Sequence, residues 1–364
     1  MRIVDGGLVY RNPSPELRSV HTWHPTIVRF EDGELLCTFD LASADVALDY
    51  RTHLSRSADG GRTWTAPVRV FADPPGRPTV HSVRIGRLAD GSVMAFGGLM
   101  YRDDPEKGLV NAPSLGYAEM DLILLRSHDR GHSWEGPRRI EPPLVGPAFE
   151  TCHPVVQLRD GRIIGPTSTW MGWNGDAPNG MNAILLVSKD GGETWPEWIV
   201  VFDRWRERVI HWEQSTIQLR DGRLLSVSWA VNLDTNQTLP TPYAISSDTR
   251  RFDAGGLTGF HAQTTKIVEL ADGRILSAYR RHDEPGLWAT VSRVEGDAWV
   301  NLETIPLWRG ASSGMSGEAT PGSDLVKLKF GFPQMVVLPD ASVFLVFWCE
   351  EECIKNVRWL RLEV

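Results

Sequence analysis

Six times along the 364-residue chain, an apolar run meets a short Asp-Gly turn or a relative of it and a second apolar run follows. The turns are Asp32-Gly33, Asp90-Gly91, Asp160-Gly161, Asp221-Gly222, Asp272-Gly273 and Asp340-Ala341, spaced 58, 70, 61, 51 and 68 residues apart. Asp-Gly between two β-type runs is a strong hairpin signal, read as a turn whose two central residues both want φ > 0. Ala341 departs from that pattern and predicts a sixth turn of another type. The flanking runs read as strands: Thr26-Ile27-Val28 before Glu34 to Phe39, and Val336-Val337-Leu338 before Val343 to Trp348. Long helical periodicity is absent. Recurrence at this period marks a repeat architecture, and the unit length suits a four-stranded antiparallel blade. The expectation is an all-β, six-bladed β-propeller spanning residues 1–364 as one domain, although length alone suggests two or three.

A second motif, Ser-x-Asp-x-Gly-x-(Thr/Ser)-Trp, sits later in three units: Ser57 to Trp64, Ser127 to Trp134 and Ser188 to Trp195. A weathered copy runs from Ser292 to Trp299 with Val294 in place of Asp, and Ser247-Asp248 is a further trace. The Asp accepts from nearby backbone N–H groups, the Gly supplies an unusual φ, and the Trp packs beneath the blade. These motifs are identified as Asp-boxes. Along nearly its whole length the chain resembles the sialidase (neuraminidase) superfamily of six-bladed propellers, as a divergent member. That resemblance implies that each box joins the third and fourth strands of a blade and is structural. The last unit ends in a third strand at Leu360 to Val364, while Ile3 to Tyr10 is a strand without a unit. The simplest closure gives that N-terminal strand to the last blade, which leaves no open edge.

The formal charge of -8 and pI of about 5.7 argue against nucleic acid as a partner, since nucleic-acid binding favours a basic face. Met1 to Gly7 lacks the basic and apolar regions of a signal peptide, and no apolar run reaches membrane-spanning length; a cytoplasmic location without membrane contact is expected. Four cysteines, Cys37, Cys152, Cys349 and Cys353, have no zinc spacing; free thiols are expected, with a Cys349–Cys353 pair as the alternative. No cofactor or metal is implied.

Both hairpin turns and Asp-boxes fall on one face of such a ring. The starts of the inner strands and the connections between second and third strands fall on the other, and loops on a rigid scaffold commonly carry function. That face collects His21-Thr22-Trp23-His24-Pro25, His81-Ser82-Val83-Arg84, Glu150-Thr151-Cys152-His153-Pro154, His211-Trp212-Glu213-Gln214 and His261-Ala262-Gln263-Thr264. Connections add Asp40, Asp45, Asp49, Tyr101, Trp170, Trp173, Trp229, Tyr279, Arg280, Arg281, His282, Asp283, Trp348 and Glu350. A polar cup rimmed with aromatic rings suits a carbohydrate; solvated loops over core tryptophans are the plainer alternative.

Sialidases hold a substrate carboxylate with three arginines. The resemblance places Trp23 where the first should stand and Trp229 at another, so sialic-acid cleavage is not expected. Glu213 matches a family glutamate, and Asp45 and Asp40 lie near the family's acid/base aspartate. The candidate catalytic set is Glu213, Asp45, Asp40, His24, His153 and Tyr279. The candidate substrate-binding set is Trp23, His81, Arg84, Glu150, Trp170, Trp173, His211, Trp229, Arg280 and Arg281. Three functions stay open: a glycoside hydrolase, a polysaccharide lyase using His/Tyr/Arg chemistry on uronates, and a non-catalytic sugar- or protein-binding propeller.

Overall fold

The computed structural model describes residues 1–144, 146–281, 283–309 and 329–364; His282 lies outside the described residues. Six antiparallel sheets form the blades of a ring. The first blade consists of His21–Arg29, Leu35–Ala42, Arg51–Ser57 and Val68–Arg69, from the axis outward. The second is Thr79–Arg87, Val93–Tyr101, Met120–Ser127 and Glu135–Ile140. In the third, the inner strand is split into Ala148–Glu150 and Val156–Gln157, both paired with Ile163–Trp170, followed by Ala183–Ser188 and Glu197–Phe202. The fourth is Val209–Gln218, Leu224–Asn232, Pro242–Ser246 and Ala254–Leu257; the fifth is Gln263–Glu269, Ile275–Arg281, Gly286–Glu295 and Ala298–Trp308. The sixth joins Phe330–Val337, Val343–Glu351 and Ile354–Glu363 to the N-terminal strand Arg2–Tyr10.

Each blade is covered on both faces by its neighbours, so its second strand is buried along nearly its whole length rather than at alternate residues. Ile163–Trp170 is buried throughout, whereas the outer strand Glu197–Phe202 is exposed at half of its positions. An apolar cluster fills every blade–blade junction. Val28, Leu36 and Ile85 mark the first, Phe96 and Trp195 the second, Leu185 and Leu224 the third. Tyr243 with Ile275, Ala289 with Phe347, and Phe39 with Phe344 mark the remaining three. No helix among the described residues is long and apolar enough to cross a membrane.

The hairpin turns differ from the sequence expectation. In the first, Gly33 N–H bonds the Phe30 carbonyl and Phe30 N–H bonds the Glu34 carbonyl, and Gly33 alone has positive φ, at 95°. This is a type I turn closed by one left-handed residue, with Asp32 accepting the Glu34 N–H at 3.2 Å. The sixth turn is the same turn, contrary to the different type expected from its alanine: Ala341 takes φ 64°, and Leu338 and Ser342 make the matching bonds. Asp340 accepts both the N–H and the hydroxyl of Ser342, which holds the alanine in place.

The Ser-x-Asp motifs join third to fourth strands as expected. Asp59 accepts from Ser57 Oγ at 2.8 Å, Thr63 N–H at 2.9 Å and Thr63 Oγ1 at 2.6 Å. Asp129 and Asp190 repeat this pattern. A Cβ on Gly61 would lie 2.7 Å from the Phe344 ring, so the glycine lets the first blade's motif seat against the sixth. Trp195 is buried, while Trp64 and Trp134 are half-buried. The Thr63 hydroxyl and N–H, with Ser57, hold the Asp59 carboxyl at about 2, and Thr194 and Ser188 do the same for Asp190. These folded-state values are depressed. Their stabilisation is therefore complete above the ordinary carboxylate range and is lost as pH falls from about 4 through about 2. Replacing Asp59, Asp129 and Asp190 together by Ala should lower the melting temperature at pH 7 and flatten its acid limb. An unchanged limb would refute this.

The ring closes between its ends. Arg2–Tyr10 pairs antiparallel with Ile354–Glu363, from Arg2 against Glu363 to Tyr10 against Val357. Deleting residues 1–10 should bare the edge of Ile354–Glu363 and uncover Phe344 and Trp359, giving aggregation or a greatly lowered melting temperature. A soluble truncation with the parent melting temperature would contradict that closure. Residues Cys37, Cys152, Cys349 and Cys353 are free thiols.

Candidate functional site

Four inner strands break register at equivalent places: between Trp23 and Thr26, Trp212 and Ser215, Gln263 and Lys266, and Gly331 and Gln334. Inside each bulge one non-glycine residue takes left-handed φ: His24 at 48°, Glu213 at 48°, Thr264 at 51° and Phe332 at 51°. Bulges re-aim side chains, and such backbone strain gathers at functional sites at about 1–3 kcal/mol each. The third blade reaches the same effect by splitting its inner strand after Glu150. The second, Thr79–Arg87, pairs without a break.

The re-aimed side chains meet around two carboxylate centres. The first is Asp40, fully buried at the end of the first blade's second strand. It accepts from Thr52 Oγ1 at 2.6 Å, Ser82 Oγ at 2.7 Å, Tyr50 Oη at 2.9 Å and Arg84 Nη1 at 3.3 Å, and lies 3.2 Å from His24 Nδ1. Burial alone would raise its pKa, but Arg84, His24 and Thr52 outweigh burial and hold it below the ordinary carboxylate range. His24 Nδ1 is also 2.6 Å from Tyr50 Oη, and about a third of the His24 side chain remains exposed (35%). Burial lowers the His24 pKa against the pull of Asp40, so the ring is neutral at pH 7. Phe332 presents its ring to the His24 edge at 5.0 Å and lies beneath the Arg84 guanidinium at 4.9 Å.

The second centre is the pair Glu150 and Glu213, from the third and fourth blades. Glu150 Oε2 accepts the Glu213 N–H at 2.9 Å, while Glu150 Oε1 is buried without a hydrogen-bond partner. The Thr264 hydroxyl donates to Glu213 Oε2. Burial, then the charge of Glu213, raise the Glu150 pKa. Burial, then Glu150 and Glu213, push the Cys152 thiol well up, so it is protonated. Tyr117, whose pKa is raised by burial with Cys152 and Glu150 as neighbours, covers this centre from the hairpin Val110–Asn111 and Gly116–Tyr117. That hairpin is anchored to the third blade through Tyr117 N–H and the Met171 carbonyl, 2.9 Å apart. The arrangement offers a protonatable carboxyl, a second carboxylate and a neutral imidazole. Among the described residues, no three His, Cys, Asp or Glu side chains are placed to hold a metal ion.

Of the other sequence candidates, some stand beside these centres and the rest lie in blade packing. Asp45 is ion-paired with Lys355, whose ammonium sits over Trp23 at 5.0 Å and Trp348 at 5.4 Å. This joins the first and sixth blades beside the Asp40 centre. Trp23 itself is buried against Tyr50. The histidines do not converge as expected. His81 stacks on Phe71 at 3.9 Å and His211 on Phe202 at 5.0 Å, both buried and both held near pKa 3 chiefly by burial. Each packs the exit of one blade onto the inner strand of the next. His153 turns its Nδ1 to the Pro154 carbonyl at 2.7 Å, and burial with Lys266 nearby holds it near 3. Tyr279 is buried on Phe260, its hydroxyl bonded to Thr290, a placement in blade packing rather than beside a carboxylate. Arg84 is spent on Asp40 and Ser82. Arg280 is buried with Nε on Gln263 and Nη1 on the Phe330 carbonyl, and Arg281 pairs with Asp283. Trp170, Trp212 and Trp229 form a buried stack, with centroids 4.8 and 4.3 Å apart. Trp173 stays half-exposed with Lys107 over its ring.

Tyr50, Thr52, Tyr117, Lys266 and Phe332 join the site without standing among the sequence candidates, and Ser82 and Thr264 stand only within the strand starts. One left a signal: Gly331-Phe332-Pro333 stands in the last unit where Trp23-His24-Pro25 stands in the first, whereas Lys266 follows Gln263, Thr264 and Thr265 in a strand start that is already polar. Tyr50 and Tyr117 arrive from connections whose paths no repeat dictates.

No protein-family model matches the chain, and a search of curated proteins finds no match. Solved structures do match. A protein of unknown function from Dyadobacter fermentans superposes with a TM-score of 0.74 at 21% identity, covering 100% of this chain and 99% of that one. A Penicillium chrysogenum α-L-arabinanase complexed with arabinobiose gives 0.70 at 16% identity, covering 100% and 99%. The K499G mutant of the NanB sialidase from Streptococcus pneumoniae gives 0.66 at 12%, covering 98% and 70%. At these identities the likeness concerns the fold, the six-bladed propeller of sialidases and of this arabinanase.

Proposed function

We propose that this propeller is a glycoside hydrolase in which Glu150 is the general acid and Glu213 the second carboxylate, acting as nucleophile or as the base for water. The observation that carries this reading is the unlike environment of two carboxyls from adjacent blades. Glu150 is pushed toward its protonated form by burial and by Glu213, with one oxygen left unpartnered, while Glu213 accepts from Thr264. Glycosidic cleavage needs such a division: one carboxyl to protonate the leaving oxygen and one to attack or to activate water. Its support includes the likeness to a propeller arabinanase and a propeller sialidase. A sialoside is not the proposed substrate, because Trp23 and Trp229 are buried aromatic packing where an arginine clamp would be required. A neutral sugar fits better, since Arg84 is spent on Asp40 and Lys355 is paired with Asp45.

A second reading rests on the 2.6 Å contact of His24 with Tyr50, a base and acid pair able to abstract a proton α to a uronate carboxylate. The experiment is product analysis on arabinan, arabino-oligosaccharides, aryl glycosides and polyuronates. New reducing ends without an unsaturated chromophore are expected. An unsaturated product would replace the hydrolase with the lyase, and binding without turnover would leave a lectin-like propeller.

A further inference from the structure

We propose that Lys266 is the positioning residue that sets the Glu150 and Glu213 carboxylates against each other; this rests on the hydrolase reading of that pair. Lys266 is a buried lysine on the fifth blade's inner strand, the first residue after the bulge that holds Thr264. Its ammonium makes no ion pair with a carboxylate among the described residues. Instead it donates to the Cys152 carbonyl at 2.7 Å and, more weakly, to the Gln214 carbonyl at 3.4 Å.

Those two carbonyls locate its role. Cys152 lies two residues beyond Glu150, in the gap that splits the third blade's inner strand. Gln214 directly follows Glu213 inside the fourth blade's bulge. One ammonium therefore ties together the two irregular backbone segments that carry the carboxyls. Gln214 adds a second tie, its side-chain amide donating to the Thr167 and Ile184 carbonyls of the third blade at 2.5 and 2.6 Å. Phe332 of the sixth blade covers the ammonium, with its ring centroid 5.1 Å away. A buried cation without a paired carboxylate is expensive, so its retention calls for an electrostatic or geometric function.

The charged and titratable groups around Glu150 are Glu213 from the fourth blade, Lys266 from the fifth, Cys152 on its own segment and Tyr117 from the hairpin. Around Lys266 they are Cys152, Glu150, Glu213 and Arg84. Lys266 is the cation that counters the upward push of burial and Glu213 on Glu150. Taking the charge away leaves only the Cys152 thiol and the Glu213 N–H to oppose that push, so Glu150 should titrate higher.

The test compares the wild type with Lys266→Gln, Lys266→Met and Lys266→Arg. Gln keeps a donor for the carbonyls without charge, and so remains informative where Met fails to fold. Carbon-13 NMR of glutamate-labelled protein, with the Glu150 resonance assigned through Glu150→Gln, follows the titration without substrate. The Glu150 midpoint should rise by roughly one pH unit in Lys266→Gln and return close to the wild-type value in Lys266→Arg. With p-nitrophenyl α-L-arabinofuranoside as probe, kcat of Lys266→Gln should fall at least ~10-fold with KM little changed. A folded Lys266→Gln protein with the wild-type midpoint overturns the proposal. If the wild type does not turn the probe over, it is the hydrolase reading that suffers, and the titration still decides the role of Lys266.

Discussion

Asp40→Ala should destabilise the protein by about 3–5 kcal/mol, the scale at which breaking a buried ion pair leaves the remaining charge uncompensated. Asp40 is wholly buried and gathers donors from two blades: Tyr50 and Thr52 from the first, Ser82 and Arg84 from the second. Truncation strands the buried Arg84 guanidinium, whose Nε already lacks a hydrogen-bond partner. The measurement is urea unfolding, read as a lowered midpoint with the slope preserved. Replacing the pair together, Asp40→Leu with Arg84→Met, should recover much of the loss, because no lone charge remains. Asp40 is held below the ordinary carboxylate range by Arg84, His24 and Thr52 against burial. Its stabilisation is therefore present above the unfolded carboxylate value, about 4, and fades as pH falls below it. A loss under about 1 kcal/mol would mean that Asp40 does not organise this part of the channel.

The ring was legible in the sequence because its signals are local. Asp32-Gly33 and its counterparts carry the hairpin, and Ser57 to Trp64 and its copies carry the outer turn, each within eight residues. The misreading of the turn type has a local cause too. Asp-Gly serves both a two-residue turn with two positive φ values and a type I turn closed by glycine, and the structure uses the second. Ala341 follows because Asp340 and Ser342 supply the bonds that hold the turn.

The site was less legible. Equivalence of strand starts brings residues to one end of the channel but does not say which way each side chain points. His21, His81 and His211 occupy regular pairing positions opposite Ala42, Leu99 and Ala230. His24 and Glu213 sit inside bulges and are re-aimed. Repeat spacing cannot distinguish these cases, so it draws too many histidines to the site, while Thr264 enters only within a strand start and Phe332 not at all, although each sits in its own blade's bulge. Glu150 ranks in the sequence as a substrate-binding residue and no more than a spare catalytic carboxylate, since its relation to Glu213 depends on a split strand that no pattern announces.

The two carboxyls are expected to respond unequally to amidation, and that asymmetry bears most directly on the hydrolase account. Glu213→Gln should keep the fold and cut turnover at least ~10³-fold on every substrate the wild type cleaves, since no attacking or activating carboxylate remains. Glu150→Gln should be as damaging for a natural glycan, whose leaving oxygen needs a proton. It should be far milder for a 2,4-dinitrophenyl glycoside, whose leaving group departs without one. The decisive measurement is kcat/KM of wild type, Glu150→Gln and Glu213→Gln on a glycan and on the matching dinitrophenyl glycoside. Rescue by the good leaving group is expected in Glu150→Gln alone. Turnover near the wild-type level in folded Glu213→Gln would contradict it.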